Sequence, residues 1–309
     1  MQRYENFTIC RNIRTFVVDM KRILVSSLIL NIVVFVYPQL ERYSTAWFGP
    51  NAFPVPELSD ATIPVSTTFD ITADYYFGFG DKTKNGYFRI EIPLLSEKVA
   101  FKLWSGFLEK YELSPELAAL RAVETNQIKG KANSDIYVQT RILLKKETAI
   151  WPSLILNSTL KTTSGTANFA KRYYNTSGYY FDVEAGKSFQ LTTFFSDYIR
   201  FAGTAGFLCW ETDNYTQNEG PMYGLKIKTG KNKLDWEAGI RGYTGWMSSH
   251  PAYGADYGDR PVVGFTKLVY TTKKLNYYIQ YQQGFRDFPY HQLRLGIQFT
   301  SKKLTPTYK

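Results

Sequence analysis

Residues 69–79 read FDITADYYFGF, with apolar and polar side chains in strict succession. Phe69, Ile71, Ala73, Tyr75, Phe77 and Phe79 fall on one face, and Asp70, Thr72, Asp74, Tyr76 and Gly78 on the other. A side-chain period of two belongs to a β-strand, here one with an apolar and a polar face. Eleven residues is long, since strands of soluble domains typically have about five or six. It is about the length that crosses a bilayer at a tilt. Alternation by itself does not say whether the apolar face meets a protein core or lipid.

The same pattern recurs along the chain. Phe88, Ile90, Ile92 and Leu94 interleave with Tyr87, Arg89 and Glu91. Val99, Phe101 and Leu103 interleave with Lys102 and Trp104. Ile136, Val138, Thr140, Ile142 and Leu144 interleave with Asp135, Tyr137, Gln139 and Arg141. Further runs fall near 153–163, 178–190, 198–210, 222–230, 234–246, 261–272, 275–286 and 292–300, giving about twelve strands. Connections after odd-numbered strands are the longer ones: 109–132, 164–177, 211–221 and 247–260, with GDKTKNG (80–86) and RDFPYHQ (286–292) shorter. Those after even-numbered strands are tight, as in PLLSE (93–97), GKNK (230–233) and TKK (272–274). One helix is predicted, where Ser114 caps Pro115 and Glu116 ahead of LAALRAVE.

Three features turn the apolar faces outward. Long and short connections alternate, as when the two ends of a barrel face different compartments. Aromatics collect at strand ends (Phe77, Phe79, Trp104, Phe107, Trp151, Trp210, Trp246, Tyr270), where lipid-interface girdles sit. The polar faces carry charges of both signs. A slightly negative mean hydropathy suits a barrel in which half of each strand is polar. Because hydrocarbon offers no partner to backbone N–H and C=O, the strands must close into a ring. The expected fold is all-β: a closed antiparallel transmembrane β-barrel of about twelve strands over residues 66–300, both chain ends on the periplasmic side.

The closing stretch HQLRLGIQF, residues 291–299, alternates Leu293, Leu295, Ile297 and Phe299 against Arg294, Gly296 and Gln298. It resembles the last strand of bacterial outer-membrane barrels, whose assembly machinery recognises an aromatic-ended alternating strand. The resemblance implies residence in a bacterial outer membrane, with outer-membrane lipid, lipopolysaccharide and the barrel-assembly machinery as partners. The sequence departs from that pattern in the TSKKLTPTYK tail after Phe299, read as a periplasmic tail over residues 301–309.

At the other end, Met20-Lys21-Arg22 leads into ILVSSLILNIVVFVY and then Pro38. Two cations followed by a short apolar run form a signal peptide, here residues 1–38, with Met20 a candidate true start and cleavage near Gln39. An uncleaved anchor is the alternative. The remainder keeps 32 Lys/Arg against 25 Asp/Glu. These cations are scattered singly through strands, which argues against nucleic acid as a partner. Cys209 is then the one remaining cysteine, so neither a disulfide framework nor a cysteine metal site is expected. Residues 39–65 carry four prolines and no periodicity and are read as an extended segment. A periplasmic tether is preferred for it over a plug made by WFGPNAFPVPEL.

On this orientation the inward faces carry Asp70, Asp74, Arg89, Glu91, Lys102, Arg141, Lys161, Asp182, Glu184, Arg200, Lys226, Lys228, Asp235, Glu237, Arg241 and Arg294. They either line a water-filled passage or pair across the interior and fill it. About twelve strands lies between filled and open barrels, and the passage is preferred. For hydrolysis, His250 with Ser248, Ser249, Asp256 and Asp259 is the one available set, in a Pro/Gly-rich loop poorly suited to hold catalytic geometry. His291 is read as interfacial, and no omptin-like constellation of carboxylates with histidine stands out. Asp256 and Asp259 would hold calcium only loosely, and Gly78 and Gly80 precede no helix, as a phosphate loop requires. No cofactor is expected. Loop tyrosines Tyr173, Tyr174, Tyr253 and Tyr257 are candidates for stacking on sugars or lipopolysaccharide.

The expected function is a passive channel for small polar or anionic solutes. The alternatives are a plugged barrel serving as subunit of an envelope complex with other envelope proteins, and a barrel-embedded hydrolase.

Overall fold

A computed structural model describes residues 45–94, 97–212, 216–245, 258–302 and 304–306. The proposed signal peptide, Trp246, the Ser248–His250 cluster, Tyr253, Asp256 and Tyr257 lie outside them. Among the described residues thirteen strands form: β1 (Thr67–Phe77), β2 (Asp81–Leu94), β3 (Val99–Leu113), β4 (Lys129–Ala132), β5 (Ile136–Lys145), β6 (Ser153–Lys161), β7 (Gly178–Gln190), β8 (Tyr198–Thr212), β9 (Thr216–Lys231), β10 (Leu234–Tyr243), β11 (Val262–Thr271), β12 (Leu275–Arg286) and β13 (His291–Ser301). Twelve of them pair antiparallel in chain order, β3 passing directly to β5. The ring closes where β1 meets β13, with Thr67 opposite Ser301 and Phe77 opposite His291. β4 adds four residues to the far end of β3, Glu109–Glu112 facing Lys129–Ala132.

The two faces sort as an inside-out protein. Ile71, Leu225, Leu295 and Ile297 are 56, 67, 54 and 46% exposed, whereas Asp70, Asp74, Glu184 and Arg294 are at most 6% exposed. An apolar belt facing outward around a charged interior is the transmembrane arrangement, because only lipid stabilises it. With the ring closed, each of its twelve strands finds backbone partners on both sides.

One end carries the long connections, 114–128 and 162–177; the other carries short turns such as 191–197, 232–233 and 272–274. In outer-membrane barrels these ends face outside and periplasm respectively. GDKTKNG is strand and not a connection: Asp81–Gly86 pairs with Leu108–Leu113. The turn is Gly78-Phe79-Gly80, with φ of 93°, 51° and 77°, the left-handed region that glycine tolerates. This extension of β2 and β3 loses its apolar face, with Lys82 and Lys84 exposed outside, which is why it reads as a loop. The helix is shorter than its sequence pattern, Pro115–Leu120 (α1), and Ser114 accepts from the Leu117 N–H at 3.2 Å.

Residues 46–61 lie inside the ring, in the position of a plug and not of a periplasmic tether. At the outer end the Gly49 N–H donates to the Lys171 carbonyl at 2.7 Å. At the inner end Ser153, the first residue of β6, donates to the Ala61 carbonyl at 2.8 Å. The chain thus descends the lumen before turning into β1.

Candidate functional site

The outer half of the lumen is aromatic. Trp47, Phe48, Phe53 and Val55 of the descending segment pack against Trp104, Tyr137, Tyr174, Tyr180, Trp210, Tyr243, Phe288 and Tyr290. Phe48 meets Phe53 and Tyr174 edge to face, both at 5.2 Å between ring centres. Trp104 stacks on Tyr137 at 5.1 Å and 8°. Two supposed girdle residues are therefore inside: Trp104 shares the face of Lys102, and Trp210 that of Arg200, each an even number of residues away. Phe107, Trp151 and Tyr270 do face outward, at 55, 56 and 47% exposure. Tyr173 and Tyr174 are buried and not free to stack on sugars; Tyr173 donates to Glu109 at 2.7 Å.

Above this layer two loop arginines hold the segment. Arg121, at the end of α1, donates to the carbonyls of Ala46 (2.9 Å) and Phe48 (3.0 Å) and to Asp81 (2.9 Å). Arg172 donates to Asp81 (2.8 Å), Glu109 (2.7 Å) and Thr83 (2.6 Å), while Asn51 donates to Glu109 at 2.8 Å. A Cβ on Gly49 would sit 2.5 Å from the Arg172 guanidinium carbon, so only glycine lets the backbone approach. Burial opposes the Arg172 charge, but Asp81 and Glu109 outweigh it and raise its pKa above the ordinary arginine value. Neither arginine was legible as a site residue, since each reads as a solvated loop cation.

The inner half is ionic, and the charged residues read onto the inward faces gather there except Lys161, which holds Asp135 at 2.9 Å near the outer end. Arg89 contacts Glu57 of the segment and Asp70 at 3.6 Å. Arg294 holds Asp74 at 2.7 Å and Glu57 at 2.6 Å. Arg141 spans Glu91 (2.5 Å), Glu184 (2.9 Å) and the Ser59 hydroxyl (2.6 Å). Asp182 accepts from Asn157 and Thr204, both at 2.8 Å. Arg200 donates to the Asp60 carbonyl (2.8 Å), Ser153 (3.0 Å) and Glu147 (2.5 Å). Lys226 contacts Asp60 and, at 3.2 Å, Glu237; Lys228 lies 3.2 Å from Asp60, 3.6 Å from Glu237 and 3.7 Å from Asp235.

Lys102 and Arg241 differ from the rest. Lys102 lies over the Trp104 ring at 5.2 Å, and Arg241 over Phe265 at 5.4 Å with a hydrogen bond to Gln282. Neither has a carboxylate at ion-pair distance among the described residues, and the Arg241 Nε has no partner. Lys267, a lumen cation the sequence reading left out, lies over Tyr278 at 4.3 Å and is likewise without such a carboxylate. At the periplasmic turn, burial works to raise the Glu147 carboxyl, but hydrogen bonds from Arg200 and the Ser188 N–H hold its pKa below the usual range.

A cavity of about 330 Å³ remains between residues 57–64 and the wall, and one of about 60 Å³ lies above it. Among the described residues, the strands contribute eight Lys or Arg and three Asp or Glu to the larger cavity; the segment adds Glu57 and Asp60. The lining is cationic on the wall side and blocked by the segment on the other.

No family model matches the sequence, and no curated protein matches it. Solved structures resemble the barrel at low identity. An outer membrane channel from Pseudomonas putida F1 aligns with a TM-score of 0.55 at 12% identity, over 80% of this chain and 100% of that one. KdgM porin aligns at 0.43 and 12% identity over 75% and 99%, and NanC porin at 0.48 and 10% identity over 75% and 100%. The P. putida likeness carries fold alone, and that fold agrees with the closed ring and its apolar belt: the chain has the fold of bacterial outer-membrane β-barrels.

Proposed function

We propose that the protein is an outer-membrane channel that favours small anionic solutes and is closed at rest by its own residues 46–61. The observation that carries this reading is the imbalance of the larger cavity, where wall cations outnumber wall carboxylates and three of them lack an ion-pair partner. Rings of Lys and Arg bias a lumen toward anions. Closure is the work of the aromatic layer, since burying each large apolar side chain contributes about 1.5–3 kcal/mol. The segment's polar half is seated differently. Buried ion pairs gain little over their desolvation cost, so that half is the one that exchanges partners readily. The barrel belongs in the outer membrane on this reading, and its long connections face outward.

The aromatic packing also favours a second reading, a permanently plugged barrel that binds ligand or partner without conducting. Conductance in a planar bilayer separates the two. Wild type is expected to show rare steps, and Phe48→Ala/Phe53→Ala frequent ones, with a reversal potential in a KCl gradient that reports chloride preference. A folded double variant without any conductance would leave the plugged barrel standing.

A further inference from the structure

We infer that Glu57 and Asp60 occupy the binding site of a small dicarboxylate, which enters the lumen cavity and competes with them for the same wall cations. The inference rests on the anion preference proposed above and names the solute class. The two carboxylates are three residues apart on a segment that is not part of the barrel. Glu57 is held by Arg89 and by Arg294 at 2.6 Å, Asp60 by Lys226 and by Lys228 at 3.2 Å. Each is thus an anion gripped by two cations, those of Glu57 from β2 and β13 and those of Asp60 both from β9, a pairing a free carboxylate would also adopt.

Both carboxylates are reachable from the cavity they line, with side chains 33 and 26% exposed. The unpaired cations Lys102, Arg241 and Lys267 line the same cavity. A dianion entering it meets them first, with the seats of Glu57 and Asp60 adjoining.

Exchange is what makes the arrangement a gate and not a lock. Withdrawing the segment alone leaves four largely buried cations with fewer partners, which is unfavourable. Withdrawing it while a dianion takes its place keeps those four cations paired. A solute that binds only the vacated wall therefore shifts the population toward the released segment. A neutral solute of equal size has no such differential affinity, and a monoanion replaces only one seat.

The test uses full-length protein refolded in detergent and linear dicarboxylates from succinate to suberate, with 1,6-hexanediol as the neutral control. Calorimetric titration is expected to show dicarboxylate binding at least tenfold tighter in Glu57→Gln/Asp60→Asn than in wild type, because the tethered competitor is gone. Adding Arg89→Gln and Lys228→Gln to that background is expected to weaken binding at least tenfold. Should the double variant fail to fold, Asp60→Asn alone, whose lysines keep Asp235 and Glu237, is expected to tighten binding threefold or more. Equal affinity in wild type and folded variants, or no binding at all, overturns the inference. Anion-selective conductance from the double variant without dicarboxylate binding would do the same while leaving the channel reading intact. Tighter binding without conductance from any variant would uphold the competition and remove the channel.

Discussion

Phe69 and Phe299 stack across the line where the barrel closes, ring centres 4.6 Å apart and planes 8° from parallel. They are directly opposed in the β1–β13 register, one the first apolar residue of the opening strand's alternation, the other the last of the closing strand. Below them the tail folds back, the Thr67 N–H donating to the Thr305 hydroxyl and the Thr67 hydroxyl to the Leu304 carbonyl, both at 2.9 Å. Aromatic pairs contribute about 0.5–1.5 kcal/mol beyond burial. A double-mutant cycle of Phe69→Ala and Phe299→Ala, followed by urea unfolding from vesicles, is expected to return a coupling of that size. Strictly additive losses would mean that the seam is held by the backbone ladder alone.

That seam was legible in the sequence because a period of two survives whichever way the sheet faces, and the charged face of the closing strand then fixes the orientation. The contents of the lumen were not. Trp47, Phe48, Phe53 and Val55 follow no period, since an extended chain packed on all sides has no outer face to alternate with. A signal did exist: Trp104, Tyr137, Tyr180 and Trp210 all share parity with charged inward residues on their strands. Large aromatics on a lumen face need something apolar to meet, and lipid cannot reach them. The buried arginines of the mouth were invisible for another reason, as their partners come from four segments distant in sequence.

At Gly186 the segment comes close to the wall. A Cβ built there would stand 2.9 Å from the Ala61 methyl and from the Asp60 carbonyl oxygen, and closer still to the Arg200 guanidinium. Gly186→Val is therefore expected to push residues 59–62 off β7 while leaving the ladder of β6, β7 and β8 in place. Limited proteolysis of the refolded protein should then cut within residues 57–65 at least tenfold faster than in wild type. An unchanged cleavage rate in a folded variant would show that the segment tolerates a displaced inner end.

The Glu147–Arg200 pair gives a pH signature at the periplasmic turn. The folded-state pKa of Glu147 is depressed, so the pair stabilises fully above the unfolded carboxyl value near 4.3. That contribution disappears as pH falls through the lower folded value. Glu147 remains a partly exposed partner, with 26% of its side chain accessible, so its contribution is expected at about 1 kcal/mol or less. Comparing wild type with Glu147→Gln, the gap between urea midpoints should be present at pH 7 and shrink below about pH 4. A gap that does not change with pH would assign the contact to packing.

Arg121 is expected to be the most costly single cation to remove. Its side chain is fully buried and joins the start of the segment to the β2 extension through Ala46, Phe48 and Asp81. Arg121→Met would remove one donor from each of those two carbonyls and one of the two arginines that hold Asp81, a loss of about 3–5 kcal/mol for a broken buried pair. Arg121→Lys should recover little, because one ammonium cannot reproduce a planar fork that reaches a carboxylate and two carbonyls together. The urea midpoint and the rate of proteolysis at the segment's outer end should move together in both variants. If stability falls while the segment stays protected, the arginine serves the loops and not the closure of the lumen.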